Sequence, residues 1–148
     1  MQLLIGYGSQ LHSDDAVGQT VALALQKELP ELEVLTAAQL LPEWAETISR
    51  AELVIFADAS PELKAGEIAC FSLDAAEQHT QNSSNSITHH CTPQSLLELA
   101  ELLYGNRPPA WLYLLGSANL SLGENFSSAL VVSIPVFKKA IRLKLREA

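Results

Sequence analysis

The sequence predicts an α/β protein, one domain over residues 1–148, built as a three-layer sandwich whose mostly parallel, twisted sheet is flanked by helices. Three observations predict it. The chain has 148 residues, 48% of them hydrophobic, which suits one substantial core better than two. Continuous apolar runs such as "LVIFA" (53–57) have the character of strands covered on both faces. Segments of helical period separate those runs, and a helix is the usual crossover between parallel strands.

The elements follow in order. "QLLIGYG" (2–8) is an apolar run ended by Gly6 and Gly8, a first strand entering a loop. From Asp14 onward Val17, Val21, Ala24, Leu25 and Leu29 recur at helical spacing until Pro30 stops them. "LEVLTA" (32–37) reads as a second strand. "LPEWAETISR" (41–50) reads as a helix, with Pro42 in a tolerated first-turn position and Trp44, Ala45 and Ile48 on one side. "AELVIFADAS" (51–60) holds a third strand that ends at Asp58, its polar end. "AGEIACFSL" (65–73) is a fourth, in which Cys70 reads as a small buried apolar residue. Residues 75–86 are polar and aperiodic, a surface loop. Thr92 and Pro93 open a helix carrying Leu96, Leu97, Leu99, Leu102 and Leu103, which Gly105, Pro108 and Pro109 end. "AWLYLLGSA" (110–118) is the last strand, and 127–146 form a helix with a kink or break expected at Pro135. There is no internal repeat.

Charge narrows the partners. A formal net charge of -8 opposes phosphate backbones and anionic bilayers, so neither nucleic acid nor membrane is expected. Lys138, Lys139, Arg142, Lys144 and Arg146 read as the solvated face of the last helix. The two cysteines make no disulfide framework and no CxxC pair. With no signal-like start and no apolar run of about eighteen residues, a cytoplasmic protein is expected.

In parallel sheets, ligands meet loops at the carboxyl ends of strands. Asp14 and Asp15 follow the first strand, Asp58 lies at the end of the third, and His89 and His90 approach the Pro93 helix. "GYGSQL" lacks the third glycine of GxGxxG, and no GxxxxGK run exists. Carboxylates at that helix entrance would also repel a pyrophosphate, so no organic cofactor is expected.

Ser13 or Asp14 reads as a cap of the first helix, with Asp14 the better candidate. Asp15 is either a further first-turn acid or a group projecting toward the sheet edge, and Asp58 either a turn residue of "DASPELKAG" or a carboxylate delivered to that edge. "THHCTP" (88–93) offers two imidazoles and a thiol, for a turn, for a ligand, or for a Cys91 nucleophile with a histidine base. Asp15, Asp58 and one histidine would give two oxygen donors and one nitrogen donor, a set suited to nickel, zinc or a related ion. Three protein ligands would leave room for a metal presented by a substrate.

The ordered set "GYGSQLHSDDAVG" (6–18), "AAQLLPEWAE" (37–46), "VIFADAS" (54–60) and "THHCTPQSLLELAELLYG" (88–105) resembles the nickel-iron hydrogenase maturation protease family. It is most similar to the branch with a QLxPE segment, here Gln39 to Glu43. The resemblance implies an aspartic-type endopeptidase that removes the C-terminal extension of a hydrogenase large-subunit precursor after nickel insertion. It also implies that Asp15, Asp58 and His89 are both the metal-binding and the catalytic residues. The nickel would be supplied by the substrate and the enzyme would act as a monomer. His89 is preferred to His90 because Pro93 and the following leucines keep the motif's register. Ser9 stands where the family often has asparagine, Ala16 where glycine is frequent, and Asp15 is the shorter acid where glutamate also occurs. His90 and Cys91 have no family role. The alternatives are a noncatalytic metallochaperone or hydrogenase-binding module, and a freestanding zinc- or cysteine-dependent hydrolase.

Overall fold

In the computed structural model, which describes residues 1–9, 13–74, 91–118 and 126–147, the first apolar run is strand β1, Gln2–Tyr7. A 3-10 turn at Ser13–Ala16 leads into helix α1, Val17–Glu28. Strand β2 is Glu33–Ala37, and a second 3-10 turn, Pro42–Trp44, opens the short helix α2, Ala45–Ser49. Strand β3 is Leu53–Ser60 and β4 is Ile68–Ser72. Helix α3, Pro93–Tyr104, strand β5, Ala110–Gly116, and helix α4, Ser128–Glu147, complete the described elements.

The strands form one sheet in the order β2-β1-β3-β5-β4. β1 runs parallel to β2 and β3, β3 runs parallel to β5, and β4 is an antiparallel edge. Helices cover both faces, as the predicted sandwich requires. Leu4, Ile55, Ala57 and Leu115 pack with Val21, Leu25, Phe137 and Ile141 of α1 and α4. Leu3, Ile5, Val54 and Phe56 pack with Trp44 of the second 3-10 turn, Ile48 of α2 and Leu96 and Leu97 of α3. Because successive strand residues point to opposite faces, β3 is apolar at every position from Leu53 to Ala57.

The helices are bounded by local chemistry. At the start of α3 the Thr92 hydroxyl accepts from the Ser95 N–H at 3.0 Å, while the Ser95 hydroxyl accepts from the Thr92 N–H at 2.8 Å, a reciprocal capping box. The basic stretch of α4 is less solvated than its pattern suggests. Lys138 and Arg142 both bind Glu28 on α1, and the Lys144 ammonium lies 3.8 Å over the Trp111 ring.

Four expectations change. β3 continues two residues past Asp58, because Asp58, Ala59 and Ser60 stay paired with Leu114, Leu115 and Gly116. Cys70 is exposed, since an edge strand leaves part of its surface uncovered. The helical run from Asp14 starts as a 3-10 turn, with α1 proper beginning at Val17. α4 is one unbroken helix through Pro135. Pro135 and Val131 are both exposed, so the carbonyl that proline leaves without a donor lies on the solvent side. No helix among the described residues is long and apolar enough to cross a membrane.

Candidate active site

The chain leaves β1 toward β2 on one side and reaches β3 on the other, so β1 and β3 mark the topological switch point of the sheet. Loops diverge there and leave a crevice outside the carboxyl ends of the strands. Two of the acids singled out from the sequence, Asp15 and Asp58, come within electrostatic reach of each other here.

Close backbone packing puts them there. A Cβ on Gly18 would lie 2.3 Å from the Ala57 carbonyl oxygen and 2.7 Å from that of Tyr7, so only glycine lets the start of α1 rest on the ends of β1 and β3. Gly8 has φ +134°, a conformation L side chains rarely adopt, and a Cβ there would lie 2.1 Å from the Asp15 carbonyl oxygen. The Gly8 carbonyl is held by the buried Gln19 side-chain amide at 2.7 Å. Ser13, buried at φ 40°, makes the corresponding left-handed bend without glycine's freedom. The 3-10 turn packs against β3.

The two adjacent acids have different surroundings. Asp14 is fully buried, and it does not cap α1, whose N-cap is Ala16 with no side-chain bond. Its carboxylate accepts the Ala118 N–H, the Ser127 N–H and the Ser127 hydroxyl, each at 2.8 Å. It therefore joins the loop after β1 to the segment between β5 and α4. Asp15 is half-buried and accepts the Ser9 N–H at 2.9 Å.

Asp58 is half-buried on the α2/α3 face of β3, the face of Val54 and Phe56, and its Oδ1 accepts the Ala59 N–H at 2.7 Å. Its carboxyl is pushed up to about 8, first by burial and then by the nearby charge of Asp15, against the opposing pull of the Ala59 N–H and the Tyr7 hydroxyl. Asp15, 43 positions away in the chain, therefore lies within electrostatic reach of Asp58. Burial, followed by the charge of Asp58, raises the Tyr7 phenol well above its ordinary range, so it stays a donor at neutral pH.

His89, the third predicted ligand, lies outside the described residues, as do His90 and the 75–86 loop. Among the described residues no three His, Cys, Asp or Glu side chains converge as a metal site. The acid pair nevertheless suits a divalent cation: two oxygen donors share a site in which their like charges oppose each other, and a cation would relieve that repulsion. Cys91 is less suited to nucleophilic work. Burial pushes its thiol up, and its sulfur accepts from the Ser95 hydroxyl at 3.8 Å.

A groove of about 330 Å³ lies beside the strand neighbour of Asp58, with Leu112, Leu114, Phe71 and Leu73 as walls and Ser60, Thr92 and Gln94 among its polar lining. Leu114 is the register partner of Asp58, so the groove begins one strand away from the carboxyl. A larger hollow of about 790 Å³ lies at the other end of the strands, among Met1, Gln2, Pro30, Glu52 and Leu145. Proximity to the acid pair, rather than size, selects the smaller groove.

Sequence reasoning missed Tyr7 and the tertiary role of Asp14. Tyr7 ends an apolar strand and carried no motif signal of its own. The partners of Asp14 lie 104 and 113 positions away.

Fold and acids together define a doubly wound α/β protein with a carboxylate-lined crevice at its switch point. Solved structures with this fold include the NiFe hydrogenase maturation protease HybD from Thermococcus kodakarensis, 19% identical with a TM-score of 0.71, with 97% of each chain covered. They also include the hydrogenase maturating endopeptidase HybD from E. coli, 22% identical with a TM-score of 0.72, covering 99% of this chain and 92% of that one. A solution structure of an endopeptidase from Escherichia coli is 20% identical with a TM-score of 0.75, covering 99% of this chain and 93% of the other. No family model matches the chain, and no curated protein sequence matches it.

Proposed function

We propose that the protein is an endopeptidase that removes the C-terminal extension of a nickel-iron hydrogenase large-subunit precursor once nickel is in place. The observation that carries this reading is the convergence of Asp15 and Asp58 at the β1/β3 switch point. The whole-chain likeness to hydrogenase maturation proteases supports it.

In this reading nickel arrives as part of the substrate. Asp15 and Asp58 are its oxygen donors, and His89 is the nitrogen donor. Once held, the ion supplies Lewis-acid polarisation of the scissile carbonyl. A carboxylate of the pair accepts the proton of the attacking water and returns it to the leaving amine as the C–N bond breaks. The apolar groove beside Leu114 gives the peptide flanking the scissile bond a surface on which to lie. Two free cysteines fit a reducing cytoplasm.

The experiment is incubation of the purified chain with nickel-loaded precursor, followed by intact-mass analysis. The expected result is loss of the extension, abolished by Asp15→Ala and by Asp58→Asn. Equal cleavage of loaded and nickel-free precursor would overturn nickel dependence. Stable binding without any mass change would favour a noncatalytic module. Retained cleavage in the Asp15→Ala and His89→Ala chains, with loss in Cys91→Ala, would favour a cysteine hydrolase.

A further inference from the structure

Tyr7 faces the acid pair, yet the chemistry above assigns it no task. It is the last residue of β1, and Gly6 lies opposite Ala57, so the next step along the parallel strands sets Tyr7 beside Asp58. Its half-buried ring packs against the apolar layer between the sheet and α2 and α3, which restricts the directions its hydroxyl can take. Tyr7 and Asp58 lie on the same face of adjacent strands, close enough for the hydroxyl to act on the Asp58 carboxyl, and the charge of Asp15 reaches both groups. Ala59 and Ser9 supply peptide N–H groups to Asp58 and Asp15, and Tyr7 adds a donor from a side chain.

A carboxylate on a single rotatable bond has little orientation of its own. A donor on a packed ring restrains it and leaves the remaining carboxylate lone pairs to a cation, because a phenol O–H donates a single hydrogen bond. We propose that Tyr7 is a positioning residue for Asp58: its hydroxyl holds the carboxylate in the orientation from which Asp58 and Asp15 engage one divalent cation. The proposal rests on the acid pair being the cation-reading site.

The test uses Tyr7→Phe in the full chain, which keeps the packed ring and removes only the hydroxyl. Nickel(II) chloride is titrated calorimetrically into wild type and variant, and thermal unfolding verifies that both are folded at the titration temperature. The expected result is roughly tenfold or greater weakening of nickel binding in the variant. Equal affinities would overturn the proposal. If the wild-type chain binds no nickel(II), the acid-pair reading is what fails, and a metal-free measurement decides Tyr7 separately. There, the Asp58 carboxyl carbon resonance shifts on Tyr7→Phe, while that of the exposed Glu98 on α3 stays in place. An Asp58 resonance identical in the two proteins would overturn the positioning role.

Discussion

Asp58 holds its proton to higher pH than an ordinary aspartate, for reasons that lie in its surroundings rather than in its type. Unfolded, it titrates near the ordinary aspartate value of about 3.9. Folded, burial and then the Asp15 charge push it up to about 8. Between those values the folded chain keeps a proton that the unfolded chain has released, so stability falls as pH rises through this window. The stabilising contribution is fully present below the unfolded pKa and lost by the time pH passes the folded one. Urea unfolding of wild type and Asp58→Asn from pH 4 to 9 checks the sign. The wild type should lose stability relative to the variant on the order of 1 kcal/mol per pH unit, and parallel profiles would remove the buried acid from the account. The same residue illustrates what the chain conceals at this scale. Its place after "LVIFA" marks it as a candidate, but the neighbour that perturbs it is 43 positions away, and no local pattern names that neighbour.

Among the elements, the contact of α1 with β1 and β3 does most to shape the crevice. The helix start approaches the strands so closely that a methyl group at Gly18 would fall 2.3 Å from a main-chain carbonyl. Backbone cannot move aside as a flexible side chain can, so Gly18→Ala should destabilise by about 1–3 kcal/mol or more. A lower urea midpoint at unchanged slope would register it, whereas an unchanged midpoint would mean the helix can shift freely. Strand and helix identities were readable from the sequence because burial on two faces and a 3.6-residue period leave clear patterns. The unbroken course of α4 through Pro135 was not, because it depends on which side of the helix meets solvent. Likewise the antiparallel direction of β4 follows from its pairing with β5, and its own residues carry no sign of it.

Across the whole molecule, Asp14 links segments that the chain keeps far apart. Its buried carboxylate receives donors from Ala118 and Ser127 and so fixes the turn that presents Asp15 to the far end of the sheet. Asp14→Asn replaces one acceptor oxygen by a donor facing those donors, which should cost about 1–3 kcal/mol. Chemical denaturation checks the loss. A variant as stable as the wild type would mean that the turn is held by other contacts.

By itself the sequence determined the layered α/β class, the order of strands and helices, and the acids worth watching, because periodicity and punctuation are properties of neighbouring residues. Tertiary structure alone decided that Asp14 clamps the segments around Ala118 and Ser127, that burial raises the Asp58 carboxyl, and that Tyr7 stands beside it. Those outcomes depend on strand register and on charge acting through space across a crevice, quantities that come into being only when distant parts of the chain are brought together.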